Sequence, residues 1–312
     1  MQVDDLKLIL KVAELKSITL AAAKLDMRAA TASAAIKRVE ASLGVELFVR
    51  TTRHLRLSAA GERYIPQCEQ AVAMLEIAKQ NLKGEHDEIE GELRVALSSD
   101  LGRNIVIPWI DEIMDKYPKV SLRTHISDSN IDFYRDSVDI ALRYGSPSDA
   151  NVYGFKICNV PRLLCATKGY VLEHGNPQHP DDLQSHEGLF YQLQDIINNV
   201  WEFTDGQNKY KVKMQGKRAS NDGDLVRRWC VASKGLAVKS ALDIADDLIN
   251  DRVITLMPDY QHTYGELWLI CPTRQSITPA VRLLRDVCRE KAKAKLTALI
   301  DKGILDKSVL KD

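Results

Sequence analysis

The sequence predicts a small helical head carrying a short strand pair, joined by a long helix to a larger α/β body. Three observations predict it. From Ser17 to Arg56 the run SITLAAAKLDMRAATASAAIKRVEASLGVELFVRTTRHLR reads as two short helices, a tight turn between them, and a basic hairpin. After Gly61 apolar residues recur at steps of three and four, and from Gly91 strand-like and helix-like segments alternate. A chain of 312 residues is long enough for two or three cores, and 45% hydrophobic with 28% charged residues is the composition of a soluble globular protein.

The N-terminal MQVDDLKLILKVAEL carries acids among its apolar residues, so it reads as an amphipathic helix and not as a secretory signal. With no apolar run long enough to span a membrane, a cytoplasmic place and no membrane partner are expected. The next helix runs from about Thr19 to Leu25, with Thr19 read as its N-cap. Placing Ala29 to Ser42 on a helix of ~100° per residue aligns Ala32, Ile36, Val39 and Leu43 on one stripe, with Leu25 and Leu47 positioned to meet it.

The opposite face of that helix carries Ala30, Ser33, Ala34, Lys37 and Ala41, flanked by Thr31 and Arg38. Small side chains at the centre allow close approach to a groove of double-stranded DNA. Alanine and threonine methyls can pack on thymine methyls, while the cations reach phosphates or guanine edges. Ser17 and Thr19 of the preceding helix and the wing residues Arg50, Thr51, Thr52, Arg53 and His54 complete the expected DNA-facing set. Lys and Arg outnumber Asp and Glu by ten to six over residues 1–60, whereas the whole chain has zero net charge. Contact with nucleic acid must therefore be local rather than a general coating.

Beyond the wing, Ile65, Cys68, Val72, Leu75 and Leu82, with Ala71 and Ala78 between them, form a helical seam. A seam this narrow calls for a second copy of the chain, and hence a homodimer. Pro66 requires the helix either to begin near Arg63 or to kink.

In the body, ELRVALS, VSLRTHIS and VDIALRYG read as strands and NIVIPWIDEIMDKY as a helix, an alternation that builds parallel sheets. Ligands of such sheets bind beyond the carboxyl ends of the strands. The candidates are Ser98, Ser99 and Asp100 after the first strand, Asp128 to Asn130 after the second, and Arg143 to Ser146, with Gly145, after the third. Asn221, closing the strand KRAS, Tyr191 and Trp201 join them. Arg143 suits a carboxylate ligand or an ion pair with Asp139, and Trp201 suits a ligand wall or a packing anchor. The six cysteines show neither a Cys-x-x-Cys pair nor zinc-ligand spacing, so no metal and no cofactor are expected. Cys158 and Cys165 alternate with apolar residues as buried strand does, with a redox pair as the alternative.

The phrases AAAKL, ASAAIKRVEASLGVELFVR and LRLSAAGE, followed by GELRVALS, VDIALRYG and GLAVKSALDIADDLINDRVITLMPDY, resemble the LysR-type transcriptional regulators. The resemblance reaches to about Arg289. It implies an α/β fold with an N-terminal all-α winged helix-turn-helix (1–60), a linker dimerisation helix (61–88), and a two-lobed, periplasmic-binding-protein-like effector domain (91–295). Lobe I would hold 91–161 and 266–295, lobe II 162–265, and residues 296–312 would extend the last helix, resting on a neighbouring subunit, or form a tail. A small-molecule effector between the lobes, with Ser98 and Ser99 at its anchoring end, is implied too, as are dimers or tetramers and RNA polymerase as a partner. Where family members usually carry a small hydroxyl residue, then Gln and Pro, this chain has Arg28, Ala29 and Ala30.

Arginine cannot accept hydrogen bonds from first-turn amides. Either Asp26 caps an earlier start, or Arg28 is held out toward a DNA phosphate, and the second is expected. A solute-binding protein is disfavoured by the N-terminal helices. An enzyme is disfavoured because there is no Ser/His/Asp order, no phosphate loop and no paired carboxylates in a clear pocket context.

Overall fold

The structure, a computed structural model, describes residues 2–50, 55–82, 89–129, 132–133, 136, 138–147, 152–193 and 196–310. The chain forms two compact units, Met1–His86 and Asp87–Asp312. In the first, α1 (Val3–Leu15), α2 (Ile18–Lys24) and α3 (Ala29–Leu43) precede a hairpin of β1 (Phe48–Arg50) and β2 (Leu55–Leu57), and α4 (Ala59–Leu82) follows. Leu8, Ile9 and Val12 of α1 pack with Ala21, Ala22, Ala32, Ile36, Val39 and Leu47 in one core. The α3 stripe thus faces inward as its periodicity requires, with Ala35 added to it.

Two details of the head make the LSAAGE phrase intelligible. Ser58 Oγ accepts from the Gly61 amide at 2.9 Å, capping α4, and donates to the Glu46 carbonyl at 2.6 Å. A Cβ at residue 61 would lie 2.2 Å from the Leu47 carbonyl oxygen, so only glycine lets α4 start against the wing.

The helix α4 starts at Ala59, ahead of the expected Arg63, and Pro66 lies inside it. Pro66 leaves the Glu62 carbonyl without its helical partner, and the helix continues past it. The seam is also only partly bare. Cys68 and Val72 are buried under Leu6 and Leu10 of α1, whereas Met74 and Leu75 remain about half exposed, at 49% and 50%.

The second unit opens with β3 (Gly91–Leu97), α5 (Ser99–Leu101), a π turn (Gly102–Val106), α6 (Ile107–Lys116), β4 (Val120–Ile126), β5 (Ile140–Tyr144) and β6 (Tyr153–Val160). Pro161 ends β6, and β7 (Arg162–Ala166), α7 (Lys168–His174), β8 (Glu187–Leu193), β9 (Ile196–Ile197), β10 (Val200–Thr204), β11 (Lys209–Lys213) and β12 (Gln215–Ser220) follow. Next come α8 (Gly223–Val231), β13 (Ala237–Ser240), α9 (Ala245–Ile249), β14 (Ile254–Thr255), β15 (Gln261–His262), β16 (Gly265–Cys271) and α10 (Pro279–Asp301).

One lobe is a five-stranded sheet in the order β4-β3-β5-β16-β6, and the other is built on three three-stranded sheets. The five-stranded sheet is mixed, not parallel as the alternation suggests. β3 runs parallel to β4 and β5, but β16 returns from the second lobe and pairs antiparallel with both β5 and β6.

The chain passes between lobes at Pro161 and again ahead of β16, yet the cores do not divide there. Ala241, Leu242, Ile244, Ala245 and Leu248 belong to the same core as Val95, Ile110 and Leu284. The helix α10 packs on α6 and on α9, with Lys295 reaching Asp246 at 2.5 Å. Leu296, Leu299 and Val309 are buried in this unit, whereas Leu310 is exposed. Cys158 and Cys165 lie in strands as expected, half-buried and buried respectively, and the alternative of a redox pair is disfavoured because burial opposes the thiolate in both. Burial pushes the Cys158 thiol up to about 12 and the Cys165 thiol well above its ordinary range, and both are free.

Candidate DNA-binding face and effector cleft

The helix pair that presents the DNA-facing residues is set by local chemistry. Ser17, not Thr19, is the N-cap of α2, its Oγ accepting from the Leu20 amide at 3.3 Å. The turn into α3 places Asp26 in the left-handed region at φ 52°. Arg28 is the N-cap residue of α3 with extended backbone and no side-chain cap, so Asp26 does not replace it. Gly44, at φ 70°, ends α3.

Ala30, Thr31, Ala34, Lys37 and Arg38 are exposed together with Arg28, and Ser33 is half-buried. Arg38 already has a partner, the Asp5 carboxylate 3.0 Å away on α1, so a phosphate must compete for it. Thr19 is exposed and Ser17 half-buried at the edge of this face. Arg50 lies in β1, while Thr51, Thr52, Arg53 and His54 fall outside the described residues.

Sequence reasoning passed over Glu40. Its Oε1 accepts from the Leu47 and Phe48 amides at 2.8 and 3.2 Å, which ties the start of the wing to the recognition helix.

In the second unit a polar cavity of about 380 Å³ opens between the carboxyl ends of strands from both lobes. Its wall holds Asp128 and Ser129 after β4, Gln192 and Leu193 at the end of β8, and Ala219, Ser220 and Asn221 at the end of β12. Asp128, Ser129 and Asn221 were legible as candidates because they follow strand ends, and Gln192 and Ser220 were not. Their hydroxyls and amide offer hydrogen bonds to a ligand without strong charge.

The other candidates sit elsewhere. Ser98 is the N-cap residue of α5 with no side-chain cap, and Ser99 is buried, its amide and hydroxyl both donating to Asp128 at 2.6 Å. Arg143 and Tyr191 are not in the cavity wall either: Arg143 donates to the Ser127 carbonyl at 3.0 Å and Tyr191 Oη to the Asp128 carbonyl at 3.5 Å. Both hold the loop that carries Asp128. Burial lowers the Arg143 pKa, against the pull of Asp128 and Tyr191, and pushes the Tyr191 hydroxyl up to about 12. Arg143 Nε is buried with no hydrogen-bond partner among the described residues, and Asp139 pairs with Arg94 instead, at 3.0 Å.

Gly145 is an exposed turn residue at φ 97° whose amide donates to the Glu266 carbonyl. Trp201 is 3% exposed and packs edge-on to Phe190, their ring centroids 6.1 Å apart, so it anchors its own lobe.

Between the lobes, beside the cavity, charged side chains cross in pairs. Arg103 meets Asp222 at 2.9 Å, Asn104 donates to Asp224 at 2.9 Å, and Lys239 meets Asp100 at 2.5 Å. Tyr144 Oη donates to Asp243 at 2.6 Å. Burial draws the Lys239 ammonium toward deprotonation, but Asp100 and Asp243 outweigh it and its pKa is raised. A buried ammonium paired with Asp100 is costly to break, because removing one partner strands the other charge.

A recognition helix with a wing beside it, on a chain whose larger unit holds a polar cleft between two lobes, defines a ligand-responsive DNA-binding regulator. The family model "LysR substrate binding domain" matches residues 86–293, and "Bacterial regulatory helix-turn-helix protein, lysR family" matches residues 3–62. The chain belongs to the LysR family of transcriptional regulators, which are not enzymes.

Among its relatives are the HTH-type transcriptional regulator DmlR of Escherichia coli, 26% identical with 92% of this chain and 93% of that protein covered, and the transcriptional activator TtdR of the same species, 25% identical with 85% and 86% covered. Among solved structures, CrgA of Neisseria meningitidis shares the fold at a TM-score of 0.60 and 23% identity, covering 93% of this chain and 99% of that one. Full-length AphB of Vibrio cholerae does so at 0.56 and 24%, with 92% and 98% covered.

Proposed function

We propose that this regulator reads DNA through Ala30, Thr31, Ser33 and Ala34 in the groove, with Arg28, Lys37, Arg38 and the wing residues Arg50 to His54 on phosphates. The effector occupies the cavity of about 380 Å³, contacted by Asp128, Ser129, Gln192, Ser220 and Asn221. The single observation that carries this reading is that the cavity wall takes strand ends from both lobes. A ligand there binds one lobe arrangement better than another, and that difference is all that coupling requires.

Arg143 and Tyr191 act as positioning residues for the Asp128 loop. The half-exposed Met74 and Leu75 support pairing of two α4 helices in a homodimer, which can assemble further to a tetramer. RNA polymerase is the protein partner, and the site of action is the cytoplasm; no helix among the described residues is long and apolar enough to cross a membrane.

Genome-wide mapping of bound DNA, with a thermal-shift screen of metabolites from the neighbouring genes' pathway, tests the reading. Saturable stabilisation that is lost in Asn221→Ala and Gln192→Ala supports it. Stabilisation unaffected by either substitution places the effector elsewhere.

A further inference from the structure

The inter-lobe contact is organised around one carboxylate. Asp128 Oδ1 accepts from the Ser99 amide at 2.6 Å, and Oδ2 accepts from Ser99 Oγ at 2.6 Å and from the Gly223 amide at 2.9 Å. Ser99 belongs to one lobe and Gly223 opens α8 of the other, and their amides are first-turn donors without helical partners. The helical run from Ser99 is continuous through α5, the π turn and α6 to Lys116, so two helix dipoles point their positive ends at the same two oxygens. The Gly223 amide also lies 2.8 Å from Ser99 Oγ, which closes the ring of donors.

Such a ring, with backbone amides from two helices and a hydroxyl, is a binding site for a small carboxylate. Here the occupant is part of the chain, and its other side forms the wall of the cavity.

We propose that the lobes meet around a carboxylate-binding hole and that Asp128 is its resident, tethered occupant. The hole is thereby closed to external anions, and the lobes are latched in one arrangement before any effector arrives. A ligand in the cavity acts on the latch through Asp128, either reinforcing it or drawing the side chain out. The inference concerns the same cleft as the effector reading but does not depend on it, since the test reads carboxylate binding without reference to DNA.

In full-length Asp128→Ala, with folding checked by circular dichroism, the thermal midpoint of the second unit should drop by several degrees. Formate or acetate should restore it in a saturable way, equal chloride should not, and the wild type should respond to neither. Adding Ser99→Ala to Asp128→Ala should abolish the rescue. A folded Asp128→Ala protein indifferent to formate and acetate overturns the proposal, and so does a wild type that responds equally. If Asp128→Ala does not fold, Asp128→Asn serves. Amide exchange in the segment 222–231 should then accelerate relative to wild type, and unchanged protection overturns the proposal. Should the rescue fail while metabolites still stabilise the wild type, the effector reading stands and the latch falls.

Discussion

Replacing Asp243 by Asn should remove a pH dependence that the wild type carries in its inter-lobe contact. Asp243 is buried, accepts from Tyr144 Oη at 2.6 Å, and faces Asp100 and Lys239, with Asp128 further off. Burial, then the charge of Asp100, raise its carboxyl from 3.8 to about 7, with Lys239 and the Tyr144 hydrogen bond only partly opposing. A raised carboxyl means that the folded protein holds a proton the unfolded chain has released. The contribution is therefore fully present below pH ~4, is lost as pH rises toward ~7, and is constant above that.

A shift of about three units at 1.36 kcal/mol each corresponds to ~4 kcal/mol across the window. His186 and His262, whose pKa values burial lowers, are common to both proteins and cancel in the difference. The four tryptophans, Trp109, Trp201, Trp229 and Trp268, all lie in the second unit, so their fluorescence follows its unfolding alone. Urea titrations at pH 5 and pH 8, which span about two of those three units, should show wild-type stability falling by about 3 kcal/mol relative to the variant, with Asn the more stable at pH 8. A wild-type-minus-variant difference that stays flat would refute the reasoning.

Other substitutions separate stability from function in the head. Arg28→Ser should add a cap worth ~1 kcal/mol to thermal or urea stability while weakening binding to every DNA sequence. It should also lower the salt slope of affinity by about 0.9 per phosphate lost; unchanged binding at low and high salt contradicts the phosphate role. Glu40→Ala should cost about 1–3 kcal/mol in a urea titration of the head followed by circular dichroism, because it strands the Leu47 and Phe48 amides; a midpoint within error of wild type contradicts it. Leu75→Glu should leave the monomer folded and shift sedimentation toward it, since each half-exposed leucine covered by a partner contributes about 1 kcal/mol. An unaltered association constant would exclude this face from the interface.

The recognition helix was readable because its buried stripe and its solvent face differ in residue type at a fixed period, and local chemistry alone decides both. The choice of Ser17 over Thr19 as cap was not, since both are competent and backbone geometry decides. Half of the α4 seam was misread as bare because the residues that cover Cys68 and Val72 come from α1, more than fifty positions earlier. The cleft was read to the level of strand ends, and Asp128, Ser129 and Asn221 from that reading line the cavity.

Ser99 and Arg143 do not line the cavity wall, and one reason accounts for both. Their partners, Asp128 and the Ser127 carbonyl, are set by the path of a loop and carry no periodic signal. The inter-lobe charge network did leave a trace. Lys239 stands in GLAVKSAL with apolar residues on both sides, a pattern that announces a buried charge and hence a partner, though not which one.

The helix α1 grips two others at neighbouring positions: Asp5 holds Arg38 of the recognition helix, and Leu6 covers Cys68 and Val72 of α4. Recognition helix and linker are thus clamped to a common bar. Turning one turns the other, with little slack for the head to reshape itself on DNA. In an oligomer such heads behave as the jaws of a caliper: the profile of each tip is fixed by this bar, and the gap between the jaws is what is left to adjust.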